Sequence, residues 1–197
     1  MPDAVDTDPI RLLAQWLQTA RGAGEPMPEA VALATASADA VPSARMVILR
    51  GIDRGLVWFT DTGSDKGVEL AANPHAALVL HWLRPAHRQV RAVGPVEAVG
   101  ADEADAYWHA RPPGARRAAV ASRQSQVVSG RAELEERVAE VARRFPDGSD
   151  VPRPSRWGGF RLLPVSVEFW EEAPDGLHER IRHRLRDGAW AVERLSP

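Results

Sequence analysis

Apolar positions along this chain recur with two periods, and the switches between them mark the predicted elements. Leu12, Leu13, Trp16 and Leu17 fall on one helical stripe, with Asp8 placed to cap it and Pro9 at its first position, so a helix is predicted over residues 8–23. The breaker-rich Gly22-Ala23-Gly24-Glu25-Pro26 ends it. Residues 31–35 and 45–50 then read as strands, and Gly51-Ile52-Asp53-Arg54-Gly55 turns the chain into a third over 56–60, a β-meander opening. A short helix is predicted to end at Asn73 before Pro74. Strands follow over 76–83 and 88–98, and helices over 101–110, 115–123 and 131–145.

The last helix alternates Glu133, Glu135, Glu136, Arg137, Glu140, Arg143 and Arg144 as opposite-sign neighbours, which makes it a solvent-facing element. Beyond a Pro/Asp/Gly-rich loop over 146–154, β structure returns at 160–162, 165–171, 177–185 and 189–195, the last two joined by Arg186-Asp187-Gly188. Many short strands with interspersed helices predict a closed or partly closed antiparallel barrel with helical insertions. There is no internal repeat and no low-complexity tract.

Composition narrows the chemistry. The chain has 197 residues, 44% of them hydrophobic, enough for one sizeable core and read as a single domain. Without cysteine, disulfides, thiol catalysis and thiolate metal sites are excluded, and a reducing cytoplasm fits. The segment 1–9 is acidic and lacks the apolar core of a signal peptide, and no apolar run approaches the roughly 20 residues that span a bilayer. A net charge of -2 argues against a nucleic-acid binder, yet arginines cluster at Arg111, Arg116, Arg117 and Arg123 and again over 180–186, a pattern suited to small anionic ligands.

No dinucleotide fingerprint, phosphate-loop motif or zinc-helix motif is present. The six histidines are scattered, and His178 and His183 have odd separation, so on one strand they face opposite ways and no metal site is expected. His178 and Arg180 have even separation and are predicted to share a strand face. Gly63-Ser64-Asp65-Lys66 puts a hydroxyl and an ammonium at a helix start, where free N–H groups meet anions, although Ser64 also reads as an ordinary N-cap and Lys66 as a surface lysine. Arg45, Arg50, Gln89, Arg111, Gln124 and Ser125 are candidates to complete one or two phosphate pockets. Arg45 and Arg50 have opposite parity, so either a bulge intervenes or they serve different pockets.

The blocks Arg45-Met46-Val47-Ile48-Leu49-Arg50, Phe59-Thr60 before Gly63-Ser64-Asp65-Lys66, Arg88-Gln89-Val90 and Tyr107-Trp108-His109-Ala110-Arg111-Pro112 stand in the order found in one family. So do Ser122-Arg123-Gln124-Ser125, Trp157-Gly158-Gly159-Phe160, Glu168-Phe169-Trp170 and Leu177-His178-Glu179-Arg180. In these the chain resembles the pyridoxamine 5'-phosphate oxidase family from about residue 8 to its end. The resemblance implies an FMN-binding split β-barrel, antiparallel and Greek-key-like, acting as a homodimer with FMN at the subunit interface. It also implies an oxidase passing a hydride from a small heteroaromatic or amine substrate to FMN, with dioxygen reoxidising the flavin to give hydrogen peroxide. By position, Arg45, Lys66 and Ser125 would serve the FMN phosphate, and Phe59, Thr60, Gln89, Gln124, Trp170 and Arg180 the rest of the cofactor, with Ser64 at the helix start a further cofactor-binding candidate. Arg50, Tyr107, Arg111 and His178 would serve the substrate, with His178 as the catalytic candidate that orients it or accepts a proton.

Four positions depart from the family pattern. Asp65 stands where a basic residue precedes the phosphate lysine, and Arg50, Ala115 and Gly176 stand where the vitamin B6 enzymes have lysine, serine and arginine. Each lost partner is worth about 1–3 kcal/mol, so the substrate side has changed more than the flavin side. That distribution fits a member diverged toward a natural-product intermediate, as in the phenazine-biosynthesis flavin oxidases. A genuine pyridoxine/pyridoxamine 5'-phosphate oxidase and a non-catalytic flavin-binding protein are the alternatives.

Overall fold

The computed structural model describes residues 8–197. The segment read above as acidic and without an apolar core lies outside them as far as residue 7. Helix α1 (Pro9–Gly22) opens as its sequence dictates: the Asp8 carboxylate accepts from the N–H groups of Ile10 at 3.0 Å and Arg11 at 3.3 Å, and Pro9 occupies the first turn. Its apolar stripe lies on the main core, where Leu13 and Leu17 are buried with Val31, Leu33, Leu78, Leu80 and Val90, and Trp16 meets Phe169 edge to face at 5.1 Å.

The strands are β1 (Ala30–Ala36), β2 (Pro42–Ile48), β3 (Gly51–Ile52), β4 (Leu56–Asp61), β5 (His75–Trp82) and β6 (Arg88–Ala98). They are completed by β7 (Trp157–Leu162), β8 (Ser166–Glu171), β9 (Glu179–Arg186) and β10 (Ala189–Arg194). All pairings are antiparallel. One ladder runs β10-β9-β8-β6-β5-β1-β2; the second runs β3-β4-β7 and joins the first through the C-terminal end of β6, where Val96 faces Leu162. One long strand thus serves both ladders, and the sheet curls into a split β-barrel.

The opening is not a single meander. After Ile48 the chain leaves β1: the Arg50 N–H donates to the Val57 carbonyl at 2.8 Å, and β3 pairs with β4 in the other ladder. This change of sheet at Leu49-Arg50 explains the parity conflict, because Arg45 lies on β2 opposite Leu33 while Arg50 lies beyond the strand end. Hydrophobic alternation cannot reveal such a switch, since both segments read as β.

Helices α3 (Ala101–Ala110), α4 (Pro113–Ala121) and α5 (Arg131–Arg144) follow β6. A second core of Trp108, Ala119, Val151 and Trp157 fastens this insertion to the barrel, with the Trp108 indole N–H donating to the Val151 carbonyl at 2.7 Å. Helix α5 buries no residue, in keeping with its charge pattern. No described helix is long and apolar enough to cross a membrane.

Candidate functional site

Where the insertion meets the barrel, a cavity of about 480 Å³ opens between the end of β2, strand β4, helix α2 (Asp65–Ala72), the α3–α4 junction and the start of β7. Arg50, Phe59, Thr60, Lys66, Tyr107, Arg111 and Gln124, all singled out in the sequence, line it together. Phe59 and Tyr107 stack at 3.9 Å with their rings 9° apart, joining β4 to α3 through the cavity wall.

Lys66 is buried, and among the described residues it has no ion pair; its ammonium donates to Thr60 Oγ1 at 3.2 Å, Ser64 Oγ at 3.1 Å and Gln124 Oε1 at 3.0 Å. Burial, seconded by the nearby Arg45, pushes its pKa below the ordinary lysine value, and Asp61, Asp65 and Glu69 only partly offset this. The turn before α2 packs tightly enough to exclude a side chain at Gly67, where a Cβ would lie 2.2 Å from the Thr62 carbonyl oxygen. Ser64 occupies the N-cap position without capping: its hydroxyl donates back to the Asp61 carbonyl at 2.6 Å and accepts from Lys66. The Asp65 N–H is bound instead by Ser125 Oγ at 3.1 Å, which brings Ser125 to this helix end from the connection between α4 and α5.

Arg111 lies against the faces of Trp157 at 4.2 Å and Trp108 at 5.3 Å, and its Nη1 is buried with no hydrogen-bond partner. Burial lowers its pKa, as does Arg50 nearby, yet a guanidinium stays protonated in water's accessible range. Arg50 is 5.9 Å from the Tyr107 ring and has no ion pair among the described residues. Three cations therefore border one cavity without a carboxylate partner, and an anion is the ligand class that would satisfy them.

The remaining candidates lie elsewhere in the chain. Gln89 on β6, Trp170 on β8 and Arg180 on β9 are consecutive register partners, one row across the sheet outside the cavity. Arg180 is already neutralised, donating through Nε and Nη2 to Glu168 at 2.9 and 2.8 Å and through Nη1 to the Ser196 carbonyl at 2.9 Å. His178 does not share a strand with Arg180, because β9 begins at Glu179. The turn before it holds Gly176 at φ +79°, and the Ala173 N–H donates to His178 Nδ1 at 3.2 Å, placing the imidazole 4.9 Å from the Trp170 ring. Ala115 lines the cavity, whereas Gly176 does not.

Arg45 is also outside the cavity lining, and its guanidinium is tied into a network the sequence did not disclose. It donates to Thr35, to Ser43 Oγ at 2.5 Å and to Glu69 Oε2 at 3.1 Å. Burial works against ionisation of Glu69, but hydrogen bonds from Thr35, Ser43 and Arg45 outweigh it and hold the carboxyl below its usual range. The one sequence signal for Glu69 was its position three residues after Lys66 on the same helix. Trp108 stands three residues before Arg111, whereas for Trp157 on its other contact there was no signal, since a tertiary neighbour leaves no local spacing.

Comparison with known proteins gives the family. Residues 23–145 match the family model described as pyridoxamine 5'-phosphate oxidase, and residues 157–197 match the pyridoxine 5'-phosphate oxidase C-terminal dimerisation region. The chain is 47% identical to the pyridoxine/pyridoxamine 5'-phosphate oxidase of Salinibacter ruber, over 99% of this chain and 92% of that one. It is 49% identical to the protein of the same name from Cupriavidus taiwanensis, over 98% and 91%. Among solved structures it superposes on PhzG from Burkholderia lata 383, crystallised with tetrahydrophenazine-1-carboxylic acid, with a TM-score of 0.94 at 34% identity, covering 100% of this chain and 97% of that one. With its split barrel, its cation-lined cavity and these matches along nearly its whole length, the chain is an oxidoreductase that belongs to the pyridoxamine 5'-phosphate oxidase family.

Proposed function

We propose that this protein is an FMN-dependent oxidase, active as a homodimer, whose substrate is a small ring compound or amine bearing an anionic group. The observation that carries the reading is the unpaired ammonium of Lys66, buried among neutral oxygens of Thr60, Ser64 and Gln124. Such a group awaits a phosphate, and Ser125 and the N-terminal turn of α2 stand beside it. Two-electron acceptance is the chemistry bound FMN supplies, with dioxygen as the proposed oxidant and hydrogen peroxide as its product.

The dimer reading rests on the split between the cavity and the Gln89–Trp170–Arg180 row, which one chain does not bring into one cavity. The C-terminal match to a dimerisation region supports it. In the proposed site, each cavity faces the partner's row, and flavin fills the space between. Arg111 and Arg50 bind the substrate anion, with Tyr107 along its ring. His178 orients the substrate by donation: its Nδ1 accepts the Ala173 N–H, so the neutral ring holds its proton at Nε2.

Two substrates compete within this class. The named activity of the relatives near half identity favours the vitamin B6 phosphates. Ala115 in the cavity wall and Gly176 in the loop before His178 favour a bulkier, differently substituted ring, as does the likeness to PhzG. The test is to add FMN to the purified protein and follow flavin absorbance, then peroxide release with pyridoxine 5'-phosphate, pyridoxamine 5'-phosphate and a reduced phenazine carboxylate. A protein that stays colourless sinks the proposal. One that binds FMN but is reduced by no organic substrate is a flavin carrier instead.

A further inference from the structure

Beside Trp170 lies a polar cluster that no step above uses. His81 on β5 and His87 just before β6 bring their Nε2 atoms within 2.7 Å, and His87 Nδ1 is 3.1 Å from Glu172 Oε2. The Glu172 N–H also donates to the His87 carbonyl at 3.0 Å, fastening the β5–β6 connection to the end of β8. A carboxylate only accepts, so His87 donates from Nδ1 to Glu172, and its Nε2 shares one proton with the Nε2 of His81. The direction of the His87–Glu172 hydrogen bond is thereby set. His81 is the register partner of Gln89, and Gln89 that of Trp170, so the cluster is anchored in the same row.

The His87 ring held this way meets Trp170 edge to face at 5.1 Å and 76°, and His178 also approaches the indole, at 4.9 Å. We propose that His87, locked by Glu172 and His81, is a positioning residue that fixes the Trp170 indole for the flavin. An aliphatic residue at 87 would fill space beside the indole, but only a ring fixed at both nitrogens also holds its own plane, and with it the edge-to-face angle. Arg88, the nearest cation in sequence, is turned to Glu171 at 2.5 Å and leaves Glu172 to His87. The proposal rests on the assignment of Trp170 to the cofactor, and its test separates the two.

Tryptophan emission of the flavin-free protein is compared in wild type, H87A, E172Q, W170F and W170F/H87A. The expected result is an altered emission in H87A, a smaller change of the same sign in E172Q, where the rings remain, and no effect of H87A in the W170F background. With FMN added, H87A weakens binding about threefold to tenfold, the worth of one aromatic contact, and again only when Trp170 is present. Unchanged emission in H87A, an equal change in the W170F background, or FMN affinity unaffected by H87A would each overturn the proposal. If wild type binds no FMN, the oxidase reading fails, and the emission series alone decides whether His87 holds Trp170.

Discussion

The cavity and the sheet row handle charge in opposite ways. Around the cavity, Lys66, Arg50 and Arg111 have no carboxylate partner among the described residues, and Lys66 and the Arg111 Nη1 are buried in that condition. Along the row and its neighbours, each carboxylate is met within the chain: Glu168 by Arg180, Glu171 by Arg88, Glu172 by the His87 imidazole. Unanswered buried charge costs folding free energy, so it persists where a ligand supplies the counter-charge. Paired charge instead fixes geometry. On the proposed reading, the cavity binds anions and the row holds a surface in place.

That difference is broken most strongly at Lys66. Lys66→Ala removes a buried charged donor and is expected to weaken FMN binding about a hundredfold, near the upper range for a hydrogen bond to a charged group. Titrating flavin fluorescence against protein measures it. Next in size is Arg111→Met, which keeps the packing against Trp157 and removes the charge; KM for the anionic substrate should rise about tenfold or more while FMN affinity holds.

The lowered pKa of Lys66 gives a signed pH effect. If the ammonium binds the FMN phosphate as proposed, FMN affinity should fall with rising pH from below the ordinary lysine range. The flavin-free protein should gain stability over the same rise, because the folded state releases its proton before the unfolded state does. Lys66→Arg keeps its charge and should flatten the alkaline limb; a limb of the same shape in that variant would assign it elsewhere. Smallest is Gly176→Arg: the backbone at φ +79° should cost about 1–2 kcal/mol in any L-residue with a side chain, seen as a lowered Tm. Its effect on turnover of the B6 phosphates shows whether the loop or the missing guanidinium sets the substrate.

Elements whose signals are local were legible in the sequence. The Asp8-Pro9 start of α1, the length of β6 and the exposed face of α5 follow from caps, alternation and charge spacing. The gathering of Lys66, Tyr107, Arg111 and Gln124 in one cavity was reachable only through the ordered family blocks, because no periodicity links residues so far apart. Features decided by tertiary neighbours stayed hidden. The change of sheet at Leu49-Arg50 looks like continuous strand, His178 falls one residue short of β9, and the carboxylates holding Arg45 and Arg180 are 24 and 12 residues away.

The central claim is that the cavity of one chain and the row of another make one flavin site. Lys66→Ala and Trp170→Ala proteins, each impaired alone, should be mixed under conditions that exchange subunits and FMN binding measured. If the site is shared, mixed dimers hold one intact site of two, and the mixture regains about a quarter of the wild-type sites. Binding no better than the mean of the two parents would place both sets in one chain's own site and contradict the account.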